Sequence, residues 1–141
     1  MTRIHIEQPE KYLFKTEIAV RITDLNYGNH LANDSMLSII HEARVQFLYE
    51  LGYSEKDVEG TGLIMGDVAI QYKAEAFYGE ILQIEIGVSD ITRVAFDIIY
   101  KIQTQNKLIA IAKTGMVCYD YTNKKIANVP LVFKEKIDID N

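Results

Sequence analysis

From Tyr12 to Ile22 apolar side chains largely alternate with polar ones. Tyr12, Phe14, Ile18, Val20 and Ile22 share one face, and Lys15, Glu17 and Arg21 share the other. A period of two is that of a strand with one buried face. The period then changes: Met36, Leu37, Ile40, Ala43, Phe47, Leu48 and Leu51 recur at helical spacing and form one apolar stripe. This predicts a helix of about 17 residues, ~25 Å long. It opens near Asn33, Asp34 or Ser35, all favoured capping types, and closes at Gly52. Ser38, Glu42, Gln46 and Tyr49 occupy the opposite side. Arg44 falls inside the apolar arc and needs a partner or a route to solvent. Between strand and helix lies the polar loop Thr23 to Asn33, whose residue types bond their own backbone. Gly28 is available there for a positive φ.

Downstream, Gly62 to Lys73 is strand-like, with Ile64, Val68, Ile70 and Tyr72 on one face and Met65, Asp67 and Ala69 on the other. Leu82, Ile84, Ile86 and Val88 alternate cleanly with Gln83, Glu85 and Gly87. Val94 to Gln103 and Leu108 to Tyr119 are two more strands, joined by a turn around Gln105-Asn106-Lys107. The last of these is apolar on both faces and is expected near the centre of a sheet. A turn at Thr122 to Lys125 leads to a short strand ending at Pro130, and Met1 to Glu10 is a lead-in ending near Pro9. One strand, one long helix and a run of antiparallel strands make an α+β domain.

Composition narrows the function. A chain of 141 residues is expected to form one domain spanning 1–141. A net charge of -5 argues against nucleic acid, whose phosphates want a basic face, yet leaves room for a small anionic ligand. Cys118 is alone, so no intrachain disulfide is expected, and no Cys/His spacing suggests zinc. No metal site is expected from His5, His30 and His41. No apolar run approaches a membrane span, and the N-terminus lacks a signal-peptide core, so the expected location is cytoplasmic.

The loop before the helix carries the chemistry. Asp24, Asn26, His30 and Asp34 precede a helix N-terminus, whose unpaired amides and partial positive charge suit an oxyanion. Thioester hydrolysis needs such donors together with a carboxylate that attacks the carbonyl or activates water. The run Asp24-Leu-Asn-Tyr-Gly-Asn-His30-Leu-Ala-Asn33, leading to His41-Glu-Ala-Arg44, resembles the hotdog-fold thioesterases. The closest resemblance is to their 4-hydroxybenzoyl-CoA thioesterase branch. Gly52-Tyr53 and Tyr72-Lys-Ala-Glu-Ala-Phe-Tyr-Gly79-Glu80 resemble further family stretches, and the likeness spans roughly Glu17 to Tyr121. It implies a five- or six-stranded antiparallel sheet wrapped around one long helix, and a homodimer, often paired into a homotetramer, with active sites at the subunit interface. It also implies an acyl-CoA or acyl-ACP substrate and no cofactor.

Many family members read Asp-x-Asp in this loop, and the second Asp is their catalytic carboxylate. Asn26 stands at that place, and an amide can position water but cannot act as a base. The candidate replacements are Asp24 first, with Asp67 and Glu42 level behind it. Tyr27, Gly28, His30 and Asn33 are candidate substrate-binding residues. Each has a plainer reading: Asp24 as a turn-bonding carboxylate, His30 as a loop brace, Glu42 with Arg44 as an ion-pair system, and Tyr27 as a packing residue. Two other functions stay open: hydration or dehydration of an acyl thioester on the same fold, and acyl-thioester binding without turnover.

Overall fold

A computed structural model describes residues 1–138. The elements are β1 (Phe14–Ala19), α1 (Asn33–Glu50), β2 (Gly62–Tyr72), β3 (Ile81–Ser89), β4 (Ala95–Thr104), β5 (Lys107–Asp120), β6 (Lys125–Ile126) and α2 (Leu131–Ile137), with a short 3-10 turn at Ile22–Asp24. All pairings are antiparallel in a six-stranded sheet of order β1-β3-β4-β5-β2, with β6 on β5. α1 lies against one face of this sheet over β1 and β3, which is the hotdog architecture.

The inward face of α1 is Met36, Ile39, Ile40, Ala43, Arg44, Phe47 and Leu48. Ile39 takes the place expected of Leu37, which is 42% exposed. The expected caps are also displaced. Ala32 is the N-cap and makes no side-chain bond, so Asn33, Asp34 and Ser35 form the first turn. The C-terminus closes as expected. Tyr53 N donates to Leu48 O and Gly52 N to Tyr49 O, with Gly52 at φ +89. That is a Schellman closure, which requires the left-handed residue.

Arg44 finds its partners inside. Its Nε donates to Glu55 Oε2 at 3.1 Å and its NH1 to the Tyr100 hydroxyl at 3.1 Å; Tyr100 in turn shares a 2.7 Å bond with Thr114. Glu55 also bonds His41 at 2.8 Å. Burial works to raise the Glu55 carboxyl, but His41 and Arg44 outweigh it and hold the group below its ordinary range.

β2 departs from simple alternation. Its pairing with β5 slips between Met65 and Asp67, leaving Gly66 unpaired as a bulge. The extra residue exchanges the faces, so Ile64 sides with Asp67 and Ala69 rather than with Val68. The turn after β4 holds Gln105 and Asn106 at φ 48 and 63, the geometry of a two-residue hairpin. The short strand expected before Pro130 is β6, only two residues long, and after Pro130 the chain forms α2, which the hydrophobic pattern did not announce. Phe133 from α2 is fully buried and stacks on Phe96 at 4.8 Å, and Lys136 Nζ donates to Leu51 O at the end of α1. The lead-in crosses the sheet face opposite α1. Gln71 clamps it by accepting from Ile6 N and donating to Ile4 O, and Ile6 packs on Ile99 and Ile111.

Candidate active site

The loop between β1 and α1 folds onto the connection between β2 and β3. Leu31 N donates to Ala76 O at 2.8 Å, His30 bridges to Phe77, and Ala32 N donates to Asp24 O. Within the loop, Asn26 Oδ1 accepts from Gly28 N at 2.8 Å, Asn26 N donates to His30 O, and Asn29 N to Asn26 O. The left-handed residue is Asn29, at φ 63, and not Gly28. Gly28 is instead confined: an added Cβ would lie 3.2 Å from Asn26 Oδ1 and 3.4 Å from the His30 ring.

Where this loop meets the end of β2 and the first turn of α1 there is a cavity of about 260 Å³. Its lining includes His30, Asn33, Met36, Tyr72, Glu75 and Ile109. Met36 and Ile109 make the inner wall apolar, and both are buried. The Tyr72 hydroxyl donates to Asn33 O at 2.9 Å, tying the end of β2 to the start of α1. The first-turn amides of α1 have no acceptor within the helix and carry its positive dipole end. His30 Nδ1 lies 3.3 Å from Leu31 O. A proton on Nδ1 satisfies that contact and leaves Nε2 as an acceptor. Nε2 is 3.8 Å from Glu75 Oε1.

His30 and Asn33 are thus brought to the cavity, and the other candidates are not. Asp24 is 3% exposed and its carboxylate is taken up by Arg21, which donates from its backbone N at 2.8 Å and from Nε and NH2 at 3.3 and 3.2 Å. Burial works to raise the Asp24 carboxyl, but these bonds and the guanidinium charge outweigh it and hold it below its ordinary value. Tyr27 is fully exposed and does not line the cavity, so the expected packing or pocket contact is not made within the chain. Glu42 stands on the exposed side of α1, accepting from Gln46 Nε2 at 2.8 Å. It makes no ion pair with Arg44, whose partner is Glu55.

Asp67 lies on the sheet face away from α1. It accepts from Lys113 Nζ and from Gly115 N at 3.1 Å, with its side chain 64% exposed. Glu75 was not among the candidates. It sits past the end of β2, where the two-residue period stops, so no pattern assigns it a face; its only mark is its place in the Tyr72–Glu80 stretch. Among the described residues no group of three or more His, Cys, Asp or Glu side chains could hold a metal ion, and no helix is long and apolar enough to cross a membrane.

Comparison with known proteins bears on the family and the fold. Residues 20–137 match the family model of the thioesterase-like superfamily. A 1,4-dihydroxy-2-naphthoyl-CoA hydrolase from Microcystis aeruginosa is 32% identical over 98 residues, 67% of this chain and 71% of that protein. A 1,4-dihydroxy-2-naphthoyl-CoA thioesterase from Synechocystis superposes with a TM-score of 0.80 at 24% identity, over 91% of this chain and 98% of that one. A gentisyl-coenzyme A thioesterase superposes at 0.76 with 17% identity, over 86% and 99% of the two chains.

Proposed function

This chain belongs to the thioesterase-like superfamily, and on that premise we propose that it hydrolyses an acyl-CoA ester to the free acid and coenzyme A, with the acyl group in the cavity at the start of α1. The observation that carries this is the cavity itself. An apolar inner wall meets the first turn of α1, whose amides find no acceptor within the helix, beside the His30 imidazole. In this reading water adds to the thioester carbonyl, and the negative charge passes to the carbonyl oxygen beside the first turn of α1. Donors placed there are worth about 3 kcal/mol each in the transition state. Asp24 and Asn26 act by shaping the loop: Asp24 ties Arg21 to the 3-10 turn, and Asn26 closes the turn that presents His30.

The aromatic acyl groups named for the relatives suggest the first substrates. A cavity of about 260 Å³ suits a benzoyl- or naphthoyl-sized group or a short aliphatic chain better than a long one. The test is thiol release from benzoyl-, naphthoyl-, butyryl- and palmitoyl-CoA, followed with a thiol reagent. The expected result is turnover of the compact esters ahead of palmitoyl-CoA. Hydration of crotonyl-CoA without thiol release would point to the hydratase reaction. Tight acyl-CoA binding with no turnover would make the protein a binder.

A further inference from the structure

The cavity holds a carboxylate that the family pattern does not point to. Resting on the acyl-CoA hydrolase reading above, we propose that Glu75 is the general base of this site, activating the attacking water together with His30. Among the described residues lining the cavity, Glu75 is the one carboxylate. The carboxylates suggested by the sequence are engaged elsewhere: Asp24 by Arg21, Glu42 by Gln46, and Asp67 by Lys113 and Gly115 on the far face of the sheet. The position the family gives to its catalytic acid is an amide, Asn26, and that amide oxygen is spent on Gly28 N.

Glu75 has the geometry the role requires. Its side chain is 63% exposed, so water reaches it, and Oε1 is 3.8 Å from His30 Nε2. That separation is too long for a direct hydrogen bond, so both groups keep lone pairs for a shared water. The backbone carrying it is pinned along its length. Ala74 N donates to Ile109 O at 3.2 Å, Lys107 Nζ to Glu75 O at 3.1 Å, Leu31 N to Ala76 O at 2.8 Å, and Phe77 N to Glu80 Oε1 at 2.7 Å. A base held on so firmly bonded a segment costs little to orient when the substrate arrives.

The reaction balances on these groups. The Glu75 carboxylate takes one proton from water as the oxygen bonds to the carbonyl carbon, and the charge moves to the carbonyl oxygen. Collapse restores the carbonyl and breaks the C–S bond, and the departing thiolate takes the proton back from the Glu75 carboxyl. Acid and thiol are released and the carboxylate is regenerated.

The experiment compares wild type, Glu75→Gln and Glu75→Asp on the best acyl-CoA ester of the panel across pH 4–9, with melting temperatures as the folding control. The exposed side chain makes an unchanged fold the expectation. For Glu75→Gln, kcat should fall about 100-fold or more with KM within roughly threefold of wild type. The acid limb of the kcat profile should vanish with it, and Glu75→Asp should recover part of the rate. A Glu75→Gln variant that keeps roughly half the wild-type kcat and the same acid limb overturns the proposal, as does a change confined to KM. Failure of the wild type on every ester overturns the hydrolase reading instead, and is told apart because it involves no variant.

Discussion

Arg44 and Asp24 are both buried charges, one within α1 and the other in the 3-10 turn that precedes it. Arg44 reaches Glu55 in the loop after α1 and crosses the helix–sheet interface to Tyr100 on β4, so its removal strips Glu55 of a partner and leaves a hole beside the Tyr100 hydroxyl. Glu55 keeps His41 and partial access to water, which softens the loss. Arg44→Ala is expected to cost about 2–4 kcal/mol of unfolding free energy, read as a lower urea midpoint. Asp24 makes a pH prediction. Its carboxyl is held below the ordinary value of 3.8, so the folded state binds fewer protons than the unfolded one. The stability this contributes is complete above the unfolded value and is lost as pH falls through the folded one. Asp24→Asn should therefore be less stable at pH 7 by about 1 kcal/mol. Urea midpoints of the two proteins should draw together as pH falls below 3.8 toward the lowered folded-state value; a gap that does not narrow with acid would show that charge is not the cause.

The elements were legible in proportion to how fully they answer to one neighbouring surface. α1 and β3 each bury one clean face, and their spacing alone places them within a residue or so. Gly52 was equally legible, because a left-handed helix closure has few residues that tolerate it. An added Cβ there meets nothing closer than Lys136 Nζ at 3.9 Å. Gly52→Ala therefore isolates backbone strain, with an expected cost of about 1 kcal/mol by chemical denaturation. What escaped the pattern was decided by tertiary contacts. Leu37 and Ile39 are alike in hydropathy, and only the tilt of α1 on the sheet selects Ile39. The bulge at Gly66 adds one residue and inverts the faces of half a strand, and its one local mark is the lone glycine inside the strand pattern. α2 is seven residues long and gains its stability from Phe133 and Lys136 meeting the core and the end of α1, none of which is local. The same divide runs through the site. His30 and Asn33 were legible from the loop–helix junction, whereas Glu75 reaches the cavity through long-range bonds to Leu31, Lys107 and Ile109 that no local pattern announces.

At the scale of the molecule the sheet is unfinished on one side. β2 is the outer strand beyond β5, eleven residues long, and along it Ile64, Met65, Val68 and Tyr72 are between 38% and 46% exposed. Edges of this kind are ordinarily blunted by lysine, proline or bulges. β2 carries the bulge at Gly66 but neither lysine nor proline, and its one charge is Asp67. The far edge, β1, has only six residues and lies beside α1. The homodimer expected from the family resemblance would finish this sheet if β2 paired with β2 of a second copy about a two-fold axis, the self-complementary arrangement that closes an edge without starting a fibre. Tyr72 belongs both to this edge and to the cavity, so such pairing would bring the second copy to the mouth of the site and couple assembly to activity. Light scattering during gel filtration at about 20 μM should give twice the chain mass for the wild type. Val68→Lys, a charge on the edge of the kind that blocks strand pairing, should shift the mass toward that of one chain and lower thioesterase activity in parallel. A wild type that runs as a single chain at that concentration and still turns over acyl-CoA would overturn the edge-pairing model.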